Sequence, residues 1–264
     1  MSALVSFVGA GPGAPDLLTL RAVRVLECAD VVVWARSLVD EAILGHCRDG
    51  AELIASDELT HEQVVEVYVR AAREQLRVAR VQSGDPAVYG TLHEQIAACR
   101  DLGLAYEIVP GVGSMSAVAA ALGQELTVPD VSQSLILTRR PTRTSMPPNE
   151  ELTELARHGT TMVLYLSVRR PRELQADLLA GGYAEHTPCA VAYRASWPDE
   201  VVFRCELGEL GDRVRAARIT TQALVIVGPA LDQAAAAGRS HVYDPGYGHR
   251  YRRLGAPDRY RSRA

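Results

Sequence analysis

The sequence predicts an α/β protein of two domains, the first built on a parallel β-sheet and the second on a mixed one. Short apolar, β-branched runs alternate with longer segments of helical periodicity, which is typical of strands joined by helices that cover the sheet. In the second half, Val201–Cys205 follows Tyr193 too closely for a crossover helix, which indicates an antiparallel pair and hence a mixed sheet. The length of 264 residues is enough for two modest domains with real cores.

The first half contains five predicted strands separated by helices. The strands are Leu4–Val8, Val31–Trp34, Ala51–Ala55, Val78–Gln82 and Ala105–Val109. The helices are Leu17–Cys28, Glu62–Gln75, His93–Leu102 and Ser116–Leu122. In the first helix, one apolar face is predicted by the spacing of Leu17, Leu20, Val23 and Leu26. Pro15 suits the first helical turn, where its missing N–H costs nothing.

The second half repeats the alternation after a polar, proline-containing stretch near Gly123–Asp130. Its strands are predicted at Ser134–Thr138, Thr161–Ser167, Cys189–Tyr193, Val201–Cys205 and Ala223–Val227. We therefore place an N-terminal domain at 1–113, a C-terminal domain at 114–232 and an Arg/Tyr-rich tail at 233–264. By composition the tail is typical of a solvated segment, with nucleic-acid contact as the minority interpretation.

Three glycine- and proline-rich loops follow strands one, four and five. They are Gly9–Pro15, Ser83–Gly90 and Pro110–Ser114. Because ligands of parallel α/β sheets bind at the carboxyl ends of the strands, we expect these loops to border the binding cleft.

The loop after the first strand formally satisfies the G-x-G-x-x-A dinucleotide fingerprint with Gly9, Gly11 and Ala14. Two details argue against a dinucleotide. Pro12 removes a backbone N–H where a pyrophosphate needs donors, and the second strand ends at Trp34 without a carboxylate for a ribose. We expect a ligand without a phosphate near this loop, although a purely structural tight turn accounts for the glycines as well.

Single residues at the strand ends have both structural and functional interpretations. Asp85 is able to cap the following helix or to hold a cationic or hydroxylated ligand. Tyr89 either stacks on that ligand or packs beneath the loop, and Ser114 fits an N-cap. Trp197 is expected to be a packing residue, whereas Arg194 at a strand end suits a carboxylate, since its guanidinium binds bidentately.

The composition excludes several chemistries. All 28 residues counted as Lys+Arg are arginines, so the chain has no lysine for a P-loop NTPase or for a Schiff-base or pyridoxal enzyme. The seven histidines show no metal-binding spacing and no G-x-S-x-G elbow occurs, so we expect neither a metal site nor a serine hydrolase. The net charge of −4 gives no general affinity for nucleic acid or for an anionic membrane.

Cysteine usage and the N-terminus predict a cytoplasmic protein. The five cysteines are scattered, and their odd number favours free thiols in a reducing compartment over a disulfide framework. Met1–Val8 lacks the basic start of a signal peptide, and no apolar run approaches the roughly 20 residues of a membrane span.

Five segments in order along most of the chain resemble the tetrapyrrole (class III) methyltransferases, which use S-adenosylmethionine. They are Val8–Thr19, Ser83–Pro86, Val109–Val112, Leu164–Ser167 and Thr221–Gly228. Within that family, the details look like the precorrin-4 C11-methyltransferases of cobalamin synthesis. The segments that carry this second likeness are Ala35–Val39, Leu137–Arg139, Ser145–Pro147, Tyr193–Glu200 and Ser240–Pro245.

The resemblance implies two α/β domains with S-adenosylmethionine bound in the cleft between them, and a homodimer. By position, the cofactor contacts of the family fall on Pro12, Ser83, Gly84, Asp85, Val88, Gly113, Ser114, Leu166, Ala195 and Ala223. A sulfonium is a cation without a phosphate, so a loop with Pro12 in place of a donor fits it better than a dinucleotide.

The substrate implied by the resemblance is precorrin-4 or cobalt-precorrin-4, a macrocycle whose carboxylate arms should meet arginines. The substrate-binding residues that we expect are Arg36, Tyr89, Arg139, Arg140, Arg143 and Arg194. A ring carbon attacks the sulfonium methyl directly, with electrons from the nitrogens of the macrocycle, so the protein contributes alignment and charge placement. Asp85 is the expected catalytic carboxylate, either as proton acceptor or as cofactor anchor.

Other functions remain open from the residues alone. Within the family, the alternative is another tetrapyrrole methyltransferase of the same pathway. Outside it, the alternatives are a nicotinamide-dependent oxidoreductase and a non-catalytic nucleotide-sensing module whose basic tail contacts nucleic acid.

Overall fold

The computed structural model, which describes residues 4–142, 144–232 and 240–252, contains two five-stranded β-sheets flanked by helices. The strands of the first sheet are β1 (Leu4–Gly9), β2 (Val31–Trp34), β3 (Glu52–Ala55), β4 (Arg77–Gln82) and β5 (Ala105–Val109). They pair in the order β3-β2-β4-β1-β5, and every pair is parallel. The predicted parallel sheet of the first half is therefore confirmed.

The strands of the second sheet are β6 (Leu135–Arg139), β7 (Thr161–Tyr165), β8 (Pro188–Tyr193), β9 (Val201–Glu206) and β10 (Ala223–Val227). Their order is β6-β7-β10-β8-β9. Only β6 and β7 are parallel; β10 runs antiparallel to both neighbours, and β8 and β9 form the antiparallel pair expected from their close spacing. The predicted mixed sheet is confirmed as well.

The helices of the first half are α1 (Leu20–Cys28), α2 (His61–Glu74) and α3 (Leu92–Asp101). The predicted start of the first helix was wrong. Pro15–Leu17 forms only a short 3₁₀ turn, and α1 begins after Thr19, whose hydroxyl accepts a hydrogen bond from the Ala22 N–H at 3.1 Å. This shift rotates the buried face of α1 onto Ala22 and Leu26 and leaves Leu20 76% exposed.

Helix α4 (Ser114–Leu122) follows β5 but packs on the second sheet. Its buried Ala117 and Val118 share a core with Ala190 of β8 and Ile226 of β10. Gly113 occupies the N-cap position, so the prediction of Ser114 as an N-cap was wrong. The remaining helices are α5 (Leu152–Ala156), α6 (Pro171–Ala180) and α7 (Leu210–Ala216).

Each sheet is covered on both faces. Successive residues of β1 point to opposite sides, so Val5 and Phe7 join the core under α2, while Val8 joins the core under α1. The second sheet likewise separates one core against α5, α6 and α7 from another against α4. Burial on both faces explains why the strands read as continuous apolar runs.

The described part of the tail has local structure. The guanidinium of Arg252 donates hydrogen bonds to the carbonyl oxygens of Val242, Asp244 and Tyr247 at 2.6–3.1 Å, next to a 3₁₀ turn at His241–Tyr243. Residues 233–239 and 253–264 of the predicted tail lie outside the described residues. In the ranges that the structure describes, no helix has the length and apolar character needed to cross a bilayer.

Candidate active site

The three glycine-rich loops predicted to border the cleft meet at the carboxyl edge of the first sheet, because β4, β1 and β5 are neighbours. The backbone of Gly84 pairs with that of Gly11, with N–H to carbonyl distances of 2.7 and 3.2 Å. A β-carbon at Gly9 would lie 2.6 Å from Gly111 Cα, and one at Gly111 would overlap the Gly84 carbonyl oxygen. The glycines at 9 and 111 are therefore required by contact between backbones.

Asp85 ties two of these loops together. Its Oδ2 accepts a hydrogen bond from the Gly111 N–H at 2.9 Å, and its Oδ1 accepts one from the Ala87 N–H at 2.8 Å. Helix α3 begins only at Leu92 with Thr91 at its N-cap, so the helix-capping interpretation of Asp85 was wrong. Both carboxylate oxygens position the loops that form one wall of the cleft.

A turn of the second half, residues 194–200, closes against the β1 loop. The indole Nε1–H of Trp197 donates a hydrogen bond to the Pro12 carbonyl at 2.9 Å. The Ala14 N–H donates to the Ser196 hydroxyl at 3.0 Å. A β-carbon at Gly13 would overlap the indole ring, so this glycine is explained by Trp197. Trp197 packs as the sequence predicted, and what it packs against is the other half of the protein.

A cavity of about 810 Å³ lies where the two halves meet. All ten residues predicted to contact a cofactor line it: Pro12, Ser83, Gly84, Asp85, Val88, Gly113, Ser114, Leu166, Ala195 and Ala223. The volume falls within the roughly 300–1,000 Å³ of small-molecule sites. The structure thus brings together residues that are up to about two hundred positions apart in the sequence.

Several residues of the cavity wall were not predicted. They are Leu38, Val118, Thr142, Tyr165, Val168, Arg169, Arg170, Ala192, Trp197, Thr220, Thr221, Gln222 and Leu224. Arg169 and Arg170 lie in the loop between β7 and α6, and the position of this loop at a strand end was the available signal. The loop after β6 contributes Thr142 to the wall.

Three residues of the second-half wall have left-handed backbone conformations although none is a glycine. The φ angles are 53° at Leu166, 46° at Arg194 and 52° at Gln222. Such angles cost free energy and concentrate at functional sites. Leu166 also leaves 65% of its surface exposed, which is unusual for a leucine and consistent with an apolar surface for a ligand.

Among the predicted substrate ligands, Arg194 lines the cavity. Its Nη1 pairs with Asp199 Oδ2 at 2.5 Å, and its guanidinium carbon lies 3.9 Å from the centroid of the Trp197 ring. Its Nε is buried without a hydrogen-bond partner among the described residues. Arg194 therefore lines the cavity with Nη1 engaged by Asp199 and with its Nε shielded.

Of the other predicted substrate ligands, those within the described residues do not line the cavity. The guanidinium of Arg139 donates to the carbonyl oxygens of Thr144 and Ser145 in its own loop. Arg140 pairs with Glu173 at 2.8 Å and Asp177 at 2.5 Å.

Arg36 has a largely exposed side chain near Asp57, and Arg143 lies outside the described residues. Tyr89 packs against the cavity residue Tyr165, with 5.3 Å between ring centroids. Burial raises the pKa of both phenols above the ordinary value for tyrosine. Across the described residues, no three His, Cys, Asp or Glu side chains come together as a possible metal site.

Comparison with known proteins places this architecture in a family. Residues 4–211 match the sequence model of the tetrapyrrole (corrin/porphyrin) methylases. A cobalt-precorrin-4 C(11)-methyltransferase of Methanocaldococcus jannaschii is 41% identical, covering 94% of this chain and 96% of the relative. A precorrin-4 C(11)-methyltransferase of Pseudomonas aeruginosa is 45% identical, covering 92% and 99%.

Solved structures agree with the sequence comparison. The X-ray structure of a cobalamin biosynthetic enzyme, the cobalt precorrin-4 methyltransferase CbiF, matches with a TM-score of 0.84 at 41% identity, covering 87% of this chain and 96% of that one. A uroporphyrin-III C-methyl transferase from Thermus thermophilus, complexed with S-adenosylhomocysteine, matches with a TM-score of 0.73 at 29% identity, covering 88% and 99%. The fold, the cavity between its halves and these likenesses lead to one conclusion: the chain belongs to the tetrapyrrole (corrin/porphyrin) methylases.

Proposed function

We propose that the protein is an S-adenosylmethionine-dependent methyltransferase that methylates C11 of precorrin-4 or cobalt-precorrin-4 in cobalamin biosynthesis. The observation that carries this proposal is the match to relatives named for that reaction, at 41% and 45% identity over more than nine-tenths of both chains. Similarity that extends over whole chains supports a shared reaction better than a shared fold does.

The cavity residues fit S-adenosylmethionine. Pro12 denies the β1 loop a donor for a phosphate, while Ala195, Ala223 and Leu166 give the opposite wall small or apolar surfaces suited to an adenosyl group. Arg194 supplies a cation on the cavity wall for a carboxylate. When bound, S-adenosylmethionine supplies an electrophilic methyl group that a ring carbon can take by direct displacement.

The residues of this chain would contribute position and charge. Asp85 holds the β4 and β5 loops in register through its two backbone hydrogen bonds, and so fixes the first-half wall. The second-half wall closes over it through Trp197 and Ser196 and restricts the access of water. We propose Asp85 as an anchor of the site, since both of its oxygens already accept hydrogen bonds.

We propose that arginines bind the carboxylates of the macrocycle. Arg194 is the first of these because it lines the cavity, and Arg169 and Arg170 join it on the same wall. Arg36, Arg139 and Arg143, with Tyr89, stay predictions for substrate binding. For Arg140, the ion pairs with Glu173 and Asp177 favour a structural role over the predicted substrate contact.

Calorimetric titration tests the proposal. We expect S-adenosylhomocysteine to bind at micromolar strength, and NADPH and a short DNA duplex not to bind. Failure of the first ligand together with binding of either other ligand would contradict the proposal.

The reaction is then tested with precorrin-4 and cobalt-precorrin-4 in parallel. We expect a product heavier by one methyl group, with NMR placing that group on C11. Methylation at another ring position would identify another tetrapyrrole methyltransferase of the pathway.

We further propose a cytoplasmic homodimer. The family resemblance supports the dimer, and five free cysteines support a reducing compartment. Light scattering after size-exclusion chromatography is expected to give twice the 28.6 kDa of the chain, and a monomer would contradict this proposal.

A further inference from the structure

Trp197 joins the two halves of the protein at the mouth of the cavity. Its indole N–H reaches the Pro12 carbonyl, and the neighbouring Ser196 accepts a hydrogen bond from Ala14. Gly13 has no room for a β-carbon because the indole ring lies against it. The tryptophan is thus held from the first-half side by a hydrogen bond to Pro12 and by contact with Gly13.

The same ring supports Arg194. The guanidinium carbon of Arg194 lies 3.9 Å from the centroid of the indole, which is a close cation–π contact. Asp199 holds one end of the guanidinium through Nη1, and the left-handed backbone at Arg194 sets the direction in which the side chain leaves β8. Three constraints therefore fix the cation before a ligand arrives.

The fixed guanidinium carries an unsatisfied donor. Its Nε is buried and has no partner among the described residues, although the side chain as a whole is 24% exposed and lines the cavity. Asp199 holds Nη1 and the Nε is shielded, so a ligand would meet the remaining, exposed part of the guanidinium. A carboxylate suits the planar, bidentate edge of an arginine.

We propose that Trp197 is a positioning residue that holds Arg194 as a preformed carboxylate-binding group on the cavity wall. The identity of the ligand rests on the proposed function, which offers two carboxylates of the same chemistry. One is the amino-acid carboxylate of S-adenosylmethionine, and the other is an acid arm of the macrocycle.

The test compares two ligands and a substrate on matched variants. S-adenosylhomocysteine carries the amino-acid carboxylate, whereas 5′-methylthioadenosine keeps the adenosyl thioether and lacks it. Their dissociation constants are measured by calorimetry for the wild-type chain, Trp197→Leu, Trp197→Phe, Arg194→Lys and the Leu/Lys double variant. Steady-state kinetics with the macrocycle gives KM and kcat for the same proteins.

For a cofactor carboxylate, we expect Trp197→Leu and Arg194→Lys each to weaken S-adenosylhomocysteine about tenfold and to leave 5′-methylthioadenosine within about twofold. For a macrocycle carboxylate, we expect both dissociation constants to stay the same and KM for the macrocycle to rise about tenfold at nearly constant kcat. In either case we expect the dissociation constants and KM of the double variant to be no higher than those of the single variants, because both substitutions act through one guanidinium.

Three results would overturn the inference. A merely structural role predicts that Trp197→Leu weakens the binding of both adenosyl ligands equally, and that result would reduce Trp197 to a part of the wall. Independent, multiplying effects of the two substitutions would separate Trp197 from Arg194. If no dissociation constant and no KM changed, neither Trp197 nor Arg194 would take part in ligand binding.

Two controls keep the outcomes apart. If Trp197→Leu fails to fold, Trp197→Phe provides the test. It keeps an aromatic ring under Arg194, so we expect it to change the same dissociation constant or the same KM as described for Trp197→Leu, by about threefold. If the wild-type chain binds neither adenosyl ligand, the proposed function fails and this inference fails with it. If the wild-type chain binds and the variants match it, only this inference fails.

Discussion

Oδ2 of Asp85 and the backbone N–H of Gly111 form a 2.9 Å hydrogen bond that spans the loops after β4 and β5. These loops form one wall of the cavity, and the bond is the only described side-chain contact that Asp85 makes to the β5 loop. The carboxylate therefore controls the shape of the site from within its wall.

Replacement of Asp85 by Ala should reduce turnover and the free energy of unfolding, the latter by about 1–3 kcal/mol, because the Gly111 N–H loses its acceptor. Asp85→Asn keeps one acceptor oxygen and should retain part of the turnover and part of the free energy of unfolding. Turnover assays and urea unfolding check this. Equal inactivity of a stable Asn variant and the Ala variant would instead favour a proton acceptor, and full turnover in Asp85→Ala would remove Asp85 from the site.

Replacement of Gly111 by Ala should destabilise the protein by about 1–3 kcal/mol, since the new β-carbon overlaps the Gly84 carbonyl oxygen and approaches Gly9 Cα to 2.8 Å. Backbone atoms cannot turn away as a flexible side chain can. Gly45→Ala is the matched control, because nothing lies within 4 Å of a β-carbon there. Urea unfolding should separate the two variants, and equal stabilities would refute the backbone packing described for these loops.

Replacement of Arg140 by Ala should lower stability and leave KM for the macrocycle unchanged. The Arg140 side chain is 15% exposed and neutralises Glu173 and Asp177, which would lose their partner. Arg24 on α1, an exposed arginine, gives the control substitution Arg24→Ala. A rise in KM without a loss of stability would support the substrate role predicted for Arg140 from the sequence.

The free energy of unfolding should fall as pH rises from about 10 to about 12, in part because of Tyr183. Burial raises the pKa of Tyr183 from 10.0 to about 12 in the folded protein. Between these two pH values the phenol loses its proton in the unfolded chain but keeps it in the folded one, which stabilises the unfolded chain relative to the folded one. In Tyr183→Phe the fall should be shallower. Urea unfolding between pH 9 and pH 12 measures it, with Tyr251→Phe, an exposed phenol, expected to follow the wild type.

Periodicity predicted most of the secondary structure because the central strands are buried on both faces. Strand β10 begins and ends where its apolar run does. The start of α1 could not be read from the same pattern. Leu17 and Leu20 continue the helical spacing, but the hydroxyl of Thr19 caps the helix and overrides that spacing.

The cofactor side of the site was predictable, because glycine-rich loops at the ends of adjacent parallel strands must converge. The residues that contact the glycines could not be predicted from the sequence. Gly13 and Trp197 are 184 positions apart, and no local pattern indicates that the indole of one half fills the space of a missing side chain in the other. The ion pairs that occupy Arg140 likewise depend on where α6 docks.

The stacked backbones of Gly9, Gly84 and Gly111 have a consequence for engineering. Gly9 and Gly111 lie behind the lining residue Gly84, and an added methyl group at either of them meets peptide atoms. Attempts to alter which ligand the protein accepts should therefore draw their substitution libraries from the facing wall, at Leu166, Ala195 and Ala223. There, side-chain volume can change while the glycine loops serve as a fixed template.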